Sequence, residues 1–289
     1  MTPPPLAVRL LKAALRIAIG VLIGATLFLV IFERQLIYFP AKGLDFSPAS
    51  IGLAFEDVTL DVEPGVAVHG WFIHAARKPA RATVLFSHGS AGNIGDRLDR
   101  IREWRDLNVD VFLYDYRGFG RSTGQPDEAG TYRDVRSAYD YLTRTRGVDP
   151  ARLVIMGESL GCAVSVDLAT DHRAAGLILE APFASIPHMA RAIYPFLPVG
   201  PLVRTRYDNL AKIPSVALPL LVVQGTRDEV IPIAQGRMVF DAAREPKQFL
   251  PIDLGHHNDV YIVGGQRYRD AVAAFIDRVT PALVESPKP

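Results

Sequence analysis

Residues 157–161 read Gly-Glu-Ser-Leu-Gly, a serine with glycine two positions away on either side, set between the apolar runs RLVIM and CAVSV. At a strand-to-helix junction this spacing is the pattern of a nucleophile elbow, a turn so sharp that side chains at the two glycine positions would clash with neighbouring backbone. Ser159 would then stand above a sheet, with the amides of the following helix N-terminus open to negative charge. A serine hydroxyl is a weak nucleophile at its free pKa, so this reading demands a base and a group that orients the base. Where such an elbow tops a sheet, the partners follow in the chain order serine, acid, histidine. Asp228 follows the apolar run LLVVQGTR, and only His256 and His257 of the seven histidines lie beyond it. We take His257 as the base and Asp228 as its partner, against the plainer reading of Asp228 as a turn or helix-cap aspartate.

Acyl transfer also needs donors for a developing oxyanion. The amide of Leu160, next after the serine, is one expected donor, and an amide in the loop after an earlier strand is the other. The stretch HGSAGN at 88–93 fits that loop, with small residues that let backbone amides turn inward, and Ser90 would supply the second amide. No metal or organic cofactor is required by this chemistry. The histidines fall in neither an HExxH nor a Cys-rich spacing, and Cys162 as the only cysteine can form no intrachain disulfide.

Elements able to hold these residues alternate along the chain. Strands are expected at 56–62, 66–75, 82–88, 109–116, 152–157, 175–182, 219–225 and 247–253, and helices at 94–107, 129–146, 160–170, 233–244 and 266–280. The first two strands, joined across Glu-Pro-Gly, read as an antiparallel pair. The later Val/Ile/Leu runs separated by helices read as a mostly parallel sheet covered on both faces, so the fold class is α/β. Residues 183–216, rich in proline and aromatics, read as a small cap over the strand ends where ligands bind in open α/β sheets, with Tyr194, Phe196 and Tyr207 as its core.

The N-terminus has a different composition. Residues 17–32 carry no charge, and Arg9, Lys12 and Arg16 precede them. A span over about 13–32 is long enough to cross a bilayer if Arg16 snorkels, with Tyr38 and Phe39 near the opposite interface. The expected organisation is a cytoplasmic basic N-terminus with a transmembrane signal anchor in 1–39 and a catalytic domain in 40–289 on the extracytoplasmic side. The rival readings are a cleaved signal peptide, which gives a secreted protein, or a catalytic domain on the cytoplasmic side. A net charge of +1 without long basic runs argues against a nucleic-acid partner.

The motifs HGSAGN, DYRGFGRSTGQP, GESLG, QGTRDEVIP and GHHNDVY, in this order and spacing, resemble the α/β-hydrolase superfamily. The closer similarity is to its membrane-anchored single-domain serine hydrolases, whose eukaryotic members include protein depalmitoylases, and it extends to FERQLIYFP just after the apolar span. The resemblance implies an α/β-hydrolase fold and Ser159 as nucleophile. It also implies Asp228 as acid, His257 as base because Asn258 and Asp259 follow it, and the amides of Ser90 and Leu160 as oxyanion donors. Ser90 stands where that group often has asparagine, a change that spares a backbone donor. The implied substrate is a small-molecule or lipid-like acyl ester or thioester. A serine peptidase of the same fold and a non-catalytic anchored scaffold are the alternatives. His88 and Cys162 are expected to be structural, Asp115 and Arg117 to hold a turn, and Glu158 to support the elbow.

Overall fold

A computed structural model describes residues 5–198 and 200–282. The chain opens with α1 (Leu6–Ile31) and the short α2 (Glu33–Ile37), then a two-residue strand β1 (Phe39–Pro40). The antiparallel pair β2 (Phe55–Glu63) and β3 (Val66–Ile73) follows, then β4 (Thr83–Ser87), the two-residue β5 (Ala91–Gly92), α3 (Leu98–Asp106) and β6 (Asp110–Tyr114). Next come α4 (Glu128–Asp140), β7 (Leu153–Glu158), α5 (Leu160–Ala169), β8 (Gly176–Glu180), α6 (Ile186–Ile193) and α7 (Asn209–Lys212). The chain ends in β9 (Leu220–Gly225), α8 (Ile233–Ala242), β10 (Lys247–Ile252) and α9 (Val260–Val279).

Eight strands form one sheet in the order β10-β9-β8-β7-β4-β6-β3-β2. β3 runs antiparallel to both β2 and β6, and every other pairing in this sheet is parallel. The alternation of side chains along each strand explains why the central strands are apolar throughout. On β4, Leu85 enters the core formed with Val135 and Ala138 of α4 and Val164 of α5, while Val84 and Phe86 enter the opposite core with Trp104 of α3 and Phe275 of α9. Both faces are thus covered, and β4, β7, β8 and β9 lie in the interior with their C-terminal ends at one edge.

The large sheet contains the eight strands expected from the sequence. The exceptions are instructive. β1 pairs parallel with β5 over Phe39↔Ala91 and Pro40↔Gly92, a contact too short to leave a pattern. α9 begins at Val260 rather than near 266, and it carries a non-helical Gly265 (φ 48°, ψ −125°) close to where the expected helix would have begun. α1 extends seven residues further toward the N-terminus than the expected span, and only Thr26 along it is buried, so it is no core helix. Its 26 residues are enough for about 39 Å, more than a hydrocarbon core of about 30 Å.

Two expectations about aromatic residues are corrected. Tyr38 does not lie at an exposed interface: it is buried in the main core, and its hydroxyl is 2.8 Å from that of Tyr207. In the cap region Tyr207 is buried, but Tyr194 and Phe196 face outward, because the turn after α6 carries them away from the sheet.

Candidate active site

β7 delivers the chain to Ser159 and α5 leaves from Leu160, so the serine sits at the junction itself. Ser159 has φ 54° and ψ −115°, a region that costs a non-glycine residue about 1–3 kcal/mol and persists only where surroundings enforce it. The surroundings here do so. Its amide donates to the Glu180 carbonyl at 2.9 Å, and its carbonyl accepts from the Cys162 amide at 3.0 Å. A Cβ on Gly157 would lie 2.7 Å from Cα of Cys162, and one on Gly161 would run into the carbonyls of Ser87 and His88. The two glycines are therefore steric requirements of the turn.

The structure brings Ser159, His257 and Asp228 together from three loops at the C-terminal edge of the sheet. Nε2 of His257 lies 3.1 Å from Oγ of Ser159, and its Nδ1 lies 2.9 Å from Oδ2 and 3.1 Å from Oδ1 of Asp228. Asp228 Oδ1 also accepts from the amides of Val230 at 3.0 Å and Ile231 at 2.8 Å. The aspartate thus both caps its turn and holds the imidazole, and it is buried with His257. His256 is exposed and faces Glu229 at 3.0 Å, pointing away from the serine. Asp259 accepts from the amide of His256 and Asp253 is at the surface, so neither serves His257.

The loop from Gly89 lies against the elbow: a Cβ on Gly89 would be 3.5 Å from Cβ of Ser159. Among the described residues no protein group accepts a hydrogen bond from the amide of Ser90 or that of Leu160. Leu160 is the first residue of α5, where an amide has no partner within its own helix. His88 is fully buried, with its Nδ1 at 2.7 Å from the Gly89 carbonyl and its carbonyl accepting from the Tyr116 hydroxyl at 2.7 Å. It shapes the loop from within. Arg117 is buried against Asp134 at 2.8 Å and Glu63 at 2.5 Å, while Asp115 accepts from the Ile94 amide at 3.0 Å. Cys162 is buried, and burial raises its thiol pKa well above the ordinary range. Among the described residues no three His, Cys, Asp or Glu side chains are grouped to hold a metal ion.

One supporting cluster carried no recognisable signal in the sequence. Arg100 of α3 is buried beneath the elbow, 2.7 Å from the Glu180 carboxylate and 3.1 Å from the Tyr268 hydroxyl, and Tyr268 also hydrogen-bonds Glu180. Glu158 comes within 3.9 Å of the same guanidinium, and Glu103 within 3.7 Å. Burial, countered in part by Arg100, pushes the Glu103 carboxyl up to about 7. Because Glu180 also accepts the Ser159 amide through its carbonyl, this cluster fixes the strand end on which the elbow rests. Arg100→Leu leaves Glu180 buried without its cationic partner, the Tyr268 hydroxyl alone remaining, and is expected to cost about 3–5 kcal/mol, read as a lower urea midpoint. A midpoint equal to that of the wild type would mean that the pair carries no net stability.

Comparison with known proteins agrees with this architecture. The family model described as "Serine aminopeptidase, S33" matches residues 78–211. An uncharacterized protein of Mycobacterium tuberculosis is 34% identical over 253 residues, 88% of this chain and 90% of that one. The alpha/beta hydrolase domain-containing protein WAV2 of Arabidopsis thaliana is 32% identical over 286 residues, 91% of this chain and 93% of that one. Among solved structures, an esterase of Pyrococcus furiosus superposes with TM-score 0.69 at 16% identity, covering 85% of this chain and 98% of that one, a likeness of fold. An alpha-beta hydrolase of Vibrio vulnificus superposes with TM-score 0.65 at 22% identity, covering 78% and 82%. With relatives above 30% identity over nearly its whole length and an eight-stranded sheet of this order, the chain belongs to the α/β-hydrolase superfamily and is a hydrolase.

Proposed function

We propose that the protein is a membrane-anchored serine hydrolase that cleaves carboxylic ester or thioester bonds through an acyl-enzyme on Ser159. The observation that carries this reading is the continuous chain from Ser159 Oγ through His257 to Asp228, at 3.1 Å and 2.9 Å. His257 takes the hydroxyl proton as Oγ attacks the acyl carbonyl, and Asp228 holds the imidazole in the required tautomer and stabilises its positive charge. The amides of Ser90 and Leu160 donate to the oxyanion of the tetrahedral intermediate. Collapse breaks the bond to the alkoxide or thiolate, which leaves with the proton from His257. Water then attacks the acyl-enzyme with His257 again as base, and the acid is released as Ser159 regains its proton.

The length and exposure of α1 support a membrane anchor, and Arg9, Lys12 and Arg16 ahead of its apolar run favour a cytoplasmic N-terminus with the hydrolase on the far side. Digestion of the C-terminal domain by protease added outside an intact cytoplasmic membrane, with a cytoplasmic marker protein left whole, is the expected result, and survival of the domain until that membrane is lysed would reverse the orientation. A peptidase reading is favoured by the description of the matching family model, since the same chemistry cleaves amides. A panel of butyryl ester, palmitoyl thioester and aminoacyl amide substrates, assayed on the full chain in nanodiscs, separates the two. Turnover of the ester or thioester well above that of the amide is expected, and turnover confined to the amide would reverse the assignment.

A further inference from the structure

An apolar groove with a volume of about 350 Å³ opens between the foot of the N-terminal helices and the cap. One wall is Leu29 of α1, Leu36 of α2 and Phe39 of β1, and the other is Ile186, Met189 and Ile193 of α6. Among the described residues Glu33 is the only charged side chain on it, and its carboxylate is occupied by the cap. Oε2 accepts from the Arg204 amide at 3.0 Å, and Oε1 accepts from the Thr205 amide at 3.1 Å and the Thr205 hydroxyl at 2.8 Å. A second clasp runs from the Tyr38 hydroxyl to that of Tyr207 at 2.8 Å and on to Thr131 at 2.7 Å. The foot of α1 and the cap are thus held as one unit, with the groove between them.

One wall of the groove is tied to the loop beside the elbow. Phe39, which lines it, donates its amide to the carbonyl of Ser90 at 2.9 Å, so the wall is a hydrogen-bonded neighbour of the loop assigned to the oxyanion. The outer end is continuous with α1 through Leu29. Beside it the cap exposes Ile193 at 57%, Phe196 at 90% and Leu202 at 51%, apolar side chains that a water-facing loop has no reason to display together. A helix that enters the bilayer sets the level of the loop clasped to its foot, and Glu33 makes that clasp.

We propose that this groove is a subsite for the hydrocarbon tail of an acyl substrate held in the bilayer, half of it built by the anchor itself. The proposal rests on the ester or thioester hydrolysis assigned above. The tail lies between α2 and α6, the acyl carbonyl reaches the Ser90 loop past Phe39, and no charged head is accommodated because the one carboxylate present is already paired. The anchor then does more than tether the enzyme: without its foot the subsite has one wall.

The test uses the full chain in nanodiscs with p-nitrophenyl esters from four to sixteen carbons, each rate normalised to the active fraction titrated with a short-chain fluorophosphonate. Ala190→Trp fills the groove, and Glu33→Ala frees the cap from the foot. The ratio of kcat/KM for the sixteen-carbon ester to that for the four-carbon ester is expected to fall at least about tenfold in Ala190→Trp, the equivalent of losing the burial of about two methylenes. A fall of several-fold is expected in Glu33→Ala. A ratio within about twofold of wild type in both variants, with short esters still cleaved, overturns the subsite and leaves the hydrolase reading standing. Failure of the wild type to cleave any ester or to react with the phosphonate overturns the reading beneath it.

Discussion

Ser159→Ala is expected to lower kcat by about 10⁶-fold on whichever acyl substrate the wild type prefers, with the folded state intact. The magnitude is that of removing a nucleophile whose base then has nothing to activate, the residual rate coming from oxyanion donors and binding. Alanine loses only the Oγ, which is hydrogen-bonded to His257 at 3.1 Å, and the backbone bonds that hold the turn, Ser159 amide to Glu180 and Cys162 amide to Ser159 carbonyl, remain. Circular dichroism and the thermal midpoint should therefore match the wild type closely. A variant that keeps more than about 1% of wild-type kcat would show that another group attacks the substrate.

Asp228→Asn is expected to reduce kcat by about 10⁴-fold while preserving the geometry. The direction follows from the three donors that meet the carboxylate. Oδ1 receives the amides of Val230 and Ile231, so an asparagine in this position must keep its carbonyl oxygen there and turn its NH₂ toward Nδ1 of His257. That nitrogen becomes an acceptor, the ring proton moves to Nε2, and the atom facing Ser159 can no longer take a proton. His256→Ala is the paired control, since His256 lies at the surface on Glu229, and its kcat is expected within a few-fold of wild type. Equal losses in the two variants would contradict the choice of His257.

Much of this site could be read from the chain because its determinants are local. A strand ending in Gly-Glu-Ser-Leu-Gly and entering an apolar helix defines the elbow by sterics alone, and Asp228 and His257 sit just beyond apolar strands whose period and length are plain. Adjacent residues in a loop offer no periodicity to separate His256 from His257, and the resemblance to α/β-hydrolases supports His257 through the Asn258-Asp259 that follows it. Arg100, Glu180 and Tyr268 leave no local signal for a physical reason: a charged residue such as Arg100 on a helix or Glu180 at a strand end is a surface residue by default, and only the tertiary fold brings these two and Tyr268 together. The same holds for Glu33, whose partner Thr205 lies 172 residues away. The aromatic character of Tyr194 and Phe196 suggests cap core, but that character alone does not say whether a ring turns toward the sheet or outward. The eight strands of the main sheet had period and length in their favour, whereas β1 and β5 are two residues each and stand on backbone pairing alone.

The central claim is that Ser159 is the nucleophile of the reaction. Its most direct measurement is mass-spectrometric mapping of the adduct formed when the full-length protein reacts with a fluorophosphonate. The account predicts a single modified peptide containing Gly157 to Gly161 with the phosphonyl group on Ser159, formed in step with loss of hydrolytic activity. An adduct on any other residue, or full inactivation with Ser159 unmodified, would contradict it.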